Sequence, residues 1–292
     1  MMAISMCSMI TVVPALLPGV EGPLVLIPLI GYTPCMIRFF IHKAFFDGWD
    51  NLFKIAGLNI GFLLGSGIFI LGPDFMNAPV PLVLFGFLLA LLAISIWWSV
   101  CIHALVTIAD YEELGMQDMR KALRDGLVPG LQFSAMTIAL VVILAVAFPF
   151  YLGRNDPLSI VALGIIFWSA LGAILTLQYF LPLQARLGGG IWKNLRKSFF
   201  LMMDNPLFSL FLLIYNTLVL ILSMFLAFLI PGPAALALNL NVAVKLRLYK
   251  YDWLEANPDS RGKKIPWFEL LAEDKERVGK RSLKGMIFPW KD

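Results

Sequence analysis

Histidine is nearly missing from this chain: His42 and His103 are the only two in 292 residues. A histidine-based metal site or a Ser-His-Asp triad therefore has little material to draw on. Charge is also scarce, at 14% of residues, where an ordinary soluble domain has about 25%. Cys7, Cys35 and Cys101 show neither CxxC nor Cys/His spacing, so they imply no disulfide and no metal. The signatures GxSxG, HExxH, GxGxxG and GxxxxGK[ST] are all absent. Together these gaps argue against an enzyme and against any bound cofactor. The net charge of +4 is too small to point to nucleic acid. The opening segment MMAISMCSMITVVPALLPG lacks the basic start of a secretory signal and is expected to be retained.

What the chain has is apolar length. Hydrophobic residues make up 60% of it, and its mean hydropathy is +0.83. Uncharged runs cover 55–73, 129–153, 157–185 and 207–230, and a fifth, 75–109, holds only His103 as an ionisable group. Each is close to or above the roughly 20 residues a helix needs to cross a bilayer. A sixth run, 231–244, has only 14 uncharged positions. The long stems of Lys245, Arg247 and Lys250 could snorkel to the headgroups and extend it to about 19 residues, or roughly 28 Å. The expected fold is thus all-α: a polytopic helical membrane protein with six transmembrane helices.

Charge placement supports that count. If connecting segments alternate between two sides, 22 of the 23 lysines and arginines fall on one side and Arg154 alone on the other. This asymmetry is what the positive-inside rule expects, with the C-terminus cytoplasmic. Ahead of the six helices, residues 1–45 form a further hydrophobic hairpin, interrupted by Glu21 and by Pro14, Pro18, Pro23, Pro28 and Pro34. Two kinked spans are favoured there, and a re-entrant hairpin is the alternative, giving six to eight spans in all. The bundle occupies 46–250 and an amphipathic cytoplasmic tail 251–292. Within the tail, IPWFELLAEDKERV (265–278) places Trp267, Leu270, Leu271 and Val278 at helical spacing, as a helix on the membrane or beneath the bundle would.

The bundle reads as tandem helical hairpins. Inward-running helices begin beside proline, at Pro23, Pro79 and Pro81, Pro157 and Pro233. The elbows share a loose wording: GWDNLFK (48–54), GMQDMRK (115–121) and GIWKNLRK (190–197). The glycines of the third raise the prospect of a phosphate cradle. Such a loop needs a preceding strand, whereas an apolar helix precedes Gly188. An elbow is the better reading, with Trp192, Lys193, Arg196 and Lys197 at the membrane interface beside Arg120, Lys121 and Arg124 of the second elbow. The stretch 109–130 loosely resembles the coupling loop of ABC permeases, which docks an ATPase, although the alanines and the isoleucine of that motif are not matched here.

The segment YFLPLQARLGGGIWKNLRKSFFLMMDNP (179–206) resembles the YesL-like family of bacterial membrane proteins, as do GLNIGFLLGSGIFILGP (57–73) and ALRDGLVPGLQFS (122–134). The resemblance spans about 50–250, with 1–50 and 251–292 outside it. It implies about six helices, no established catalytic residues and a link to carbohydrate uptake systems in the bacterial inner membrane. Mid-helix polar residues remain to be placed: Asn59, Gln178, Tyr179, Tyr215, Asn216, Asn239 and Asn241. They either bond neighbouring helices or line a cavity for a neutral solute. The functional expectation is a non-enzymatic membrane protein, accessory to solute uptake and partnered by an ABC-type transporter component. A transporter or channel in its own right is the alternative.

Overall fold

A computed structural model describes residues 10–12, 26–28, 33–70, 79–154, 156–258, 265–279 and 281. Two short strands, β1 (Ile10–Val12) and β2 (Leu26–Pro28), pair antiparallel with Ile10 opposite Pro28. Six residues of the region expected to form two kinked spans are therefore strand, and the rest of 1–32 lies outside the described residues. The first helix, α1 (Thr33–Asp50), carries Pro34 in its opening turn, where the missing N–H has no helical partner to lose. Proline there starts the helix; it does not break it.

Helix α2 (Leu52–Ile70) follows after Asn51, whose side chain donates to the Asp47 carbonyl at 3.0 Å. Then come α3 (Val80–Ala109), α4 (Met116–Leu152) and α5 (Pro157–Leu187). A 14-residue helix, α6 (Ile191–Asp204), leads to α7 (Pro206–Phe225) and α8 (Gly232–Ala256). Two short turns of helix in the tail, α9 (Trp267–Leu270) and α10 (Ala272–Val278), complete the described chain.

Four helices, α3, α4, α5 and α7, are long and apolar enough to cross a membrane. This is fewer than the six expected. In α2 the described apolar stretch is shorter, Leu52–Gly67. The sixth candidate, α8, departs for a different reason. Ala234, Ala237, Leu238, Val242, Ala243 and Val244 are buried around its whole circumference. A helix apolar on every side and buried on every side is a core element. Two of its three basic residues do not snorkel either: Arg247 is only 2% exposed, and Lys245 Nζ lies 3.6 Å from the Asp274 carboxylate of the tail.

The chain forms two compact units, one from 1–46 and 245–292, the other from 47–244. In the larger, α4 is a single helix of 37 residues, about 55 Å long. The second elbow is thus the start of α4, and the helix runs on through Pro129. Gly126 and Gly130, one turn apart, press against α3. A Cβ on Gly130 would lie 2.8 Å from the Ile96 Cα, and one on Gly126 3.1 Å from the Val100 Cα. This small-xxx-small spacing lets two backbones approach closely where side chains would hold them apart. Beside it Val100, Ala104 and Ala122 form a buried cluster with Ile96, Trp97, Leu114 and Met119 against it.

In the smaller unit Phe39, Phe40, Ala44 and Phe46 of α1 are buried, as are Leu271 and Val278 of the tail. His42 Nε2 donates to the Arg281 carbonyl at 2.8 Å, and the Arg281 guanidinium lies over the Phe46 ring. The tail is consequently docked through Leu271, Val278 and Arg281. Its expected amphipathic helix exists as two short pieces, broken at Leu271.

Candidate functional site

The mid-helix polar residues do not converge. Asn59, buried in α2, reaches the turn ahead of α8. Its amide nitrogen donates to the Leu229 and Pro231 carbonyls at 2.8 Å each, and its oxygen accepts from the Ala234 N–H at 2.7 Å. The first N–H groups of any helix lack partners within it, and here another helix supplies the cap. Gly232 is fixed on two counts: its φ is +66°, and a Cβ there would run into the Asn59 side chain. Ser223 Oγ adds a second acceptor, taking the Gly232 N–H at 3.0 Å.

The remaining amides go elsewhere. Asn239 donates to Asn216 Oδ1 across α8 and α7 at 2.9 Å. Asn241, two residues on, turns to α3 and donates to the Ile102 carbonyl at 2.9 Å. Between α5 and α7, the Tyr179 hydroxyl meets Ser209 Oγ at 2.9 Å, and Gln178 donates to the Ser209 carbonyl at 3.1 Å. Tyr215 stacks on Phe211 within α7. These contacts tie α8 to α2, α3 and α7, and α5 to α7. Ser209 and Ser223 are the partners the sequence did not single out. Their signal was slight, since hydroxyls in apolar helices commonly bond their own backbone, as both also do here.

The second and third basic elbows share one end of the larger unit. There Arg186, closing α5, donates from Nη1 and Nη2 to both carboxylate oxygens of Asp110, which follows α3, at 3.0 to 3.1 Å. The bidentate geometry fixes orientation as well as charge. Next in the chain, Gly188 and Gly189 take φ of +58° and +97°. Gln184 donates to the Gly189 carbonyl at 3.0 Å, and Asn194 donates to the Gly188 carbonyl at 2.8 Å and to the Gln184 side chain. A phosphate cradle presents backbone N–H groups. Here side-chain amides hold the loop by its carbonyls, which makes it a turn.

Two of the three elbows share a construction. Gly115 and Gly190 each stand at the N-cap of the helix that follows, and their carbonyls accept from Met119 and Asn194 at 3.1 Å. Gly48 differs, lying inside the last turn of α1. Beyond the third elbow the chain breaks again at Asn205, because the residue before a proline is pushed out of the helical region. Asn205 Oδ1 then caps α7 through the Phe208 N–H at 3.1 Å. At the surface of this end Arg120, Lys121, Arg124, Trp192, Lys193 and Arg196 are exposed, with Lys197 half-buried. Arg124 faces Asp125 at 3.4 Å, and Arg196 lies over the Phe200 ring. Among the described residues no group of three His, Cys, Asp or Glu side chains could hold a metal ion.

No known protein family, curated protein or solved structure matches this chain. Its class rests on the fold: four long apolar helices make it a helical membrane protein.

Proposed function

We propose that this is a non-enzymatic protein of the bacterial inner membrane, accessory to solute uptake, carbohydrate uptake included. On this reading six helices cross the bilayer, α2 and α8 with the four long ones, and the basic end faces the cytoplasm. The observation that carries it is the dispersal of the polar residues. Asn59, Asn216, Asn239, Asn241, Gln178 and Tyr179 are used in helix-to-helix bonds at separate places. A chain that uses its intramembrane amides in packing acts on others through its surface, and its polar surface is the basic end.

An ABC-type transporter component is the partner proposed, with the bilayer around it. Extraction in mild detergent and affinity capture of the full chain should co-isolate such a component. Recovery of the chain alone, at every detergent tried, would contradict the accessory role. The alternative, a transporter or channel subunit, draws on the turn before α8 held by the buried Asn59 side chain, since broken helix starts recur in transport sites. Solute flux in liposomes containing only this protein would favour it.

A further inference from the structure

Helix α6 has three faces with different chemistry. Asn194, Ser198, Leu201 and Met202 are buried against the protein. A second face carries Trp192, 80% exposed, with Phe199 and Met203 on the same side. Lys193 and Lys197 form a third, and Arg196 with Phe200 stands between the last two. At 100° per residue the apolar side chains of the second face fall within one narrow stripe. Asp204, the last residue, is the one acidic group of α6.

We infer that α6 lies in the membrane interface and binds the headgroups of anionic phospholipid. An interfacial helix puts aromatic and aliphatic side chains into the acyl boundary and lysine or arginine against the headgroups. Its tethers leave it no other place. The chain leaves α5, a membrane-length helix, through three glycines, and enters α7, another one, through Asn205 alone. A 14-residue helix held at both ends by such short links cannot lift its exposed aromatic face clear of the bilayer. Charge complementarity selects the lipid, because three cations against one carboxylate favour an anionic headgroup over a zwitterionic one. The second elbow offers no equivalent: Arg120, Lys121 and Arg124 are interleaved with Asp118 and Asp125. This inference needs the chain to be membrane-embedded and does not depend on the accessory role.

The test uses the full chain, with its cysteines replaced, in vesicles of equal parts phosphatidylcholine and phosphatidylglycerol. A fluorophore on Phe199→Cys should be quenched by brominated acyl chains, and one on Lys197→Cys by aqueous iodide. The variant Lys193→Gln/Arg196→Gln/Lys197→Gln should reduce phosphatidylglycerol retention in mild detergent roughly tenfold, a discounted value for exposed cations near a bilayer. Arg120→Gln/Lys121→Gln/Arg124→Gln should leave retention unchanged, and unaltered thermal unfolding of both variants would show that each is folded. Iodide quenching of both labels, or equal lipid loss in the two variants, would overturn the inference.

Discussion

The long helices α3, α4 and α5 each have two unlike halves. Toward the basic end α3 buries Ser99, Val100, Cys101, Ile102, Ala104, Leu105, Ile108 and Ala109 nearly in sequence, and α5 buries 179–183. Toward the other end the same helices expose Leu82, Phe85, Leu88, Val142, Ile143, Val146, Ile160, Val161, Ile165 and Trp168. In α3 and α5 both halves are apolar, so hydropathy does not separate them, whereas the basic half of α4 carries Asp118, Arg120, Lys121, Arg124 and Asp125. What differs is the neighbour: protein in one case, the hydrocarbon of a bilayer in the other. Specific packing and hydrogen bonds are concentrated where small residues, serines and amides occur, and the outer halves need only be greasy.

That contrast ranks the effects of substitution. Gly130→Val should have the largest, because its branched side chain must push the α3 backbone away; a loss of roughly 3 kcal/mol is expected from overpacking of this kind. Unfolding by SDS titration in mixed micelles would measure it. Asn59→Ala should come next at about 2 kcal/mol, since it uncaps α8 and strands the carbonyls before it. Asp110→Ala should cost about 1 to 2 kcal/mol by leaving the largely buried Arg186 guanidinium without its carboxylate. Asp110→Asn should recover part of that loss in the same titration. Smallest of all, Val142→Ala and Ile160→Ala should stay within about 0.5 kcal/mol, because lipid tails solvate what they leave. A large effect at Val142 or Ile160 would show that the outer halves are packed against protein and would break the distinction.

Much of the helix pattern was legible in the sequence. The runs at 75–109, 157–185 and 207–230 reappear as α3, α5 and α7, and proline opens α5 and α7. Less legible was α4, where the elbow and the span are one helix through Pro129. A proline is a break by rule, and only the close crossing of Gly126 and Gly130 on α3 shows what holds this one in line. The role of α8 was hidden because hydropathy reports composition, and composition alone cannot tell lipid from protein as the neighbour. Its four alanines between 234 and 243 beside two asparagines were the available signal for a central helix. Among candidate site residues, the sequence showed which were polar and out of place. The pairings of Asn59 with the α8 turn, or of Asn239 with Asn216, depend on contacts far apart in the chain.

In the proposed topology the end bearing α6, Arg186 and the start of α4 lies on the cytoplasmic side of a membrane. In a background lacking Cys7, Cys35 and Cys101, single cysteines at Lys193 and Arg154 can be probed in intact cells with an impermeant maleimide. Labelling is expected at 154 without disruption, and at 193 only after permeabilisation. Equal labelling of both positions in intact cells would contradict it.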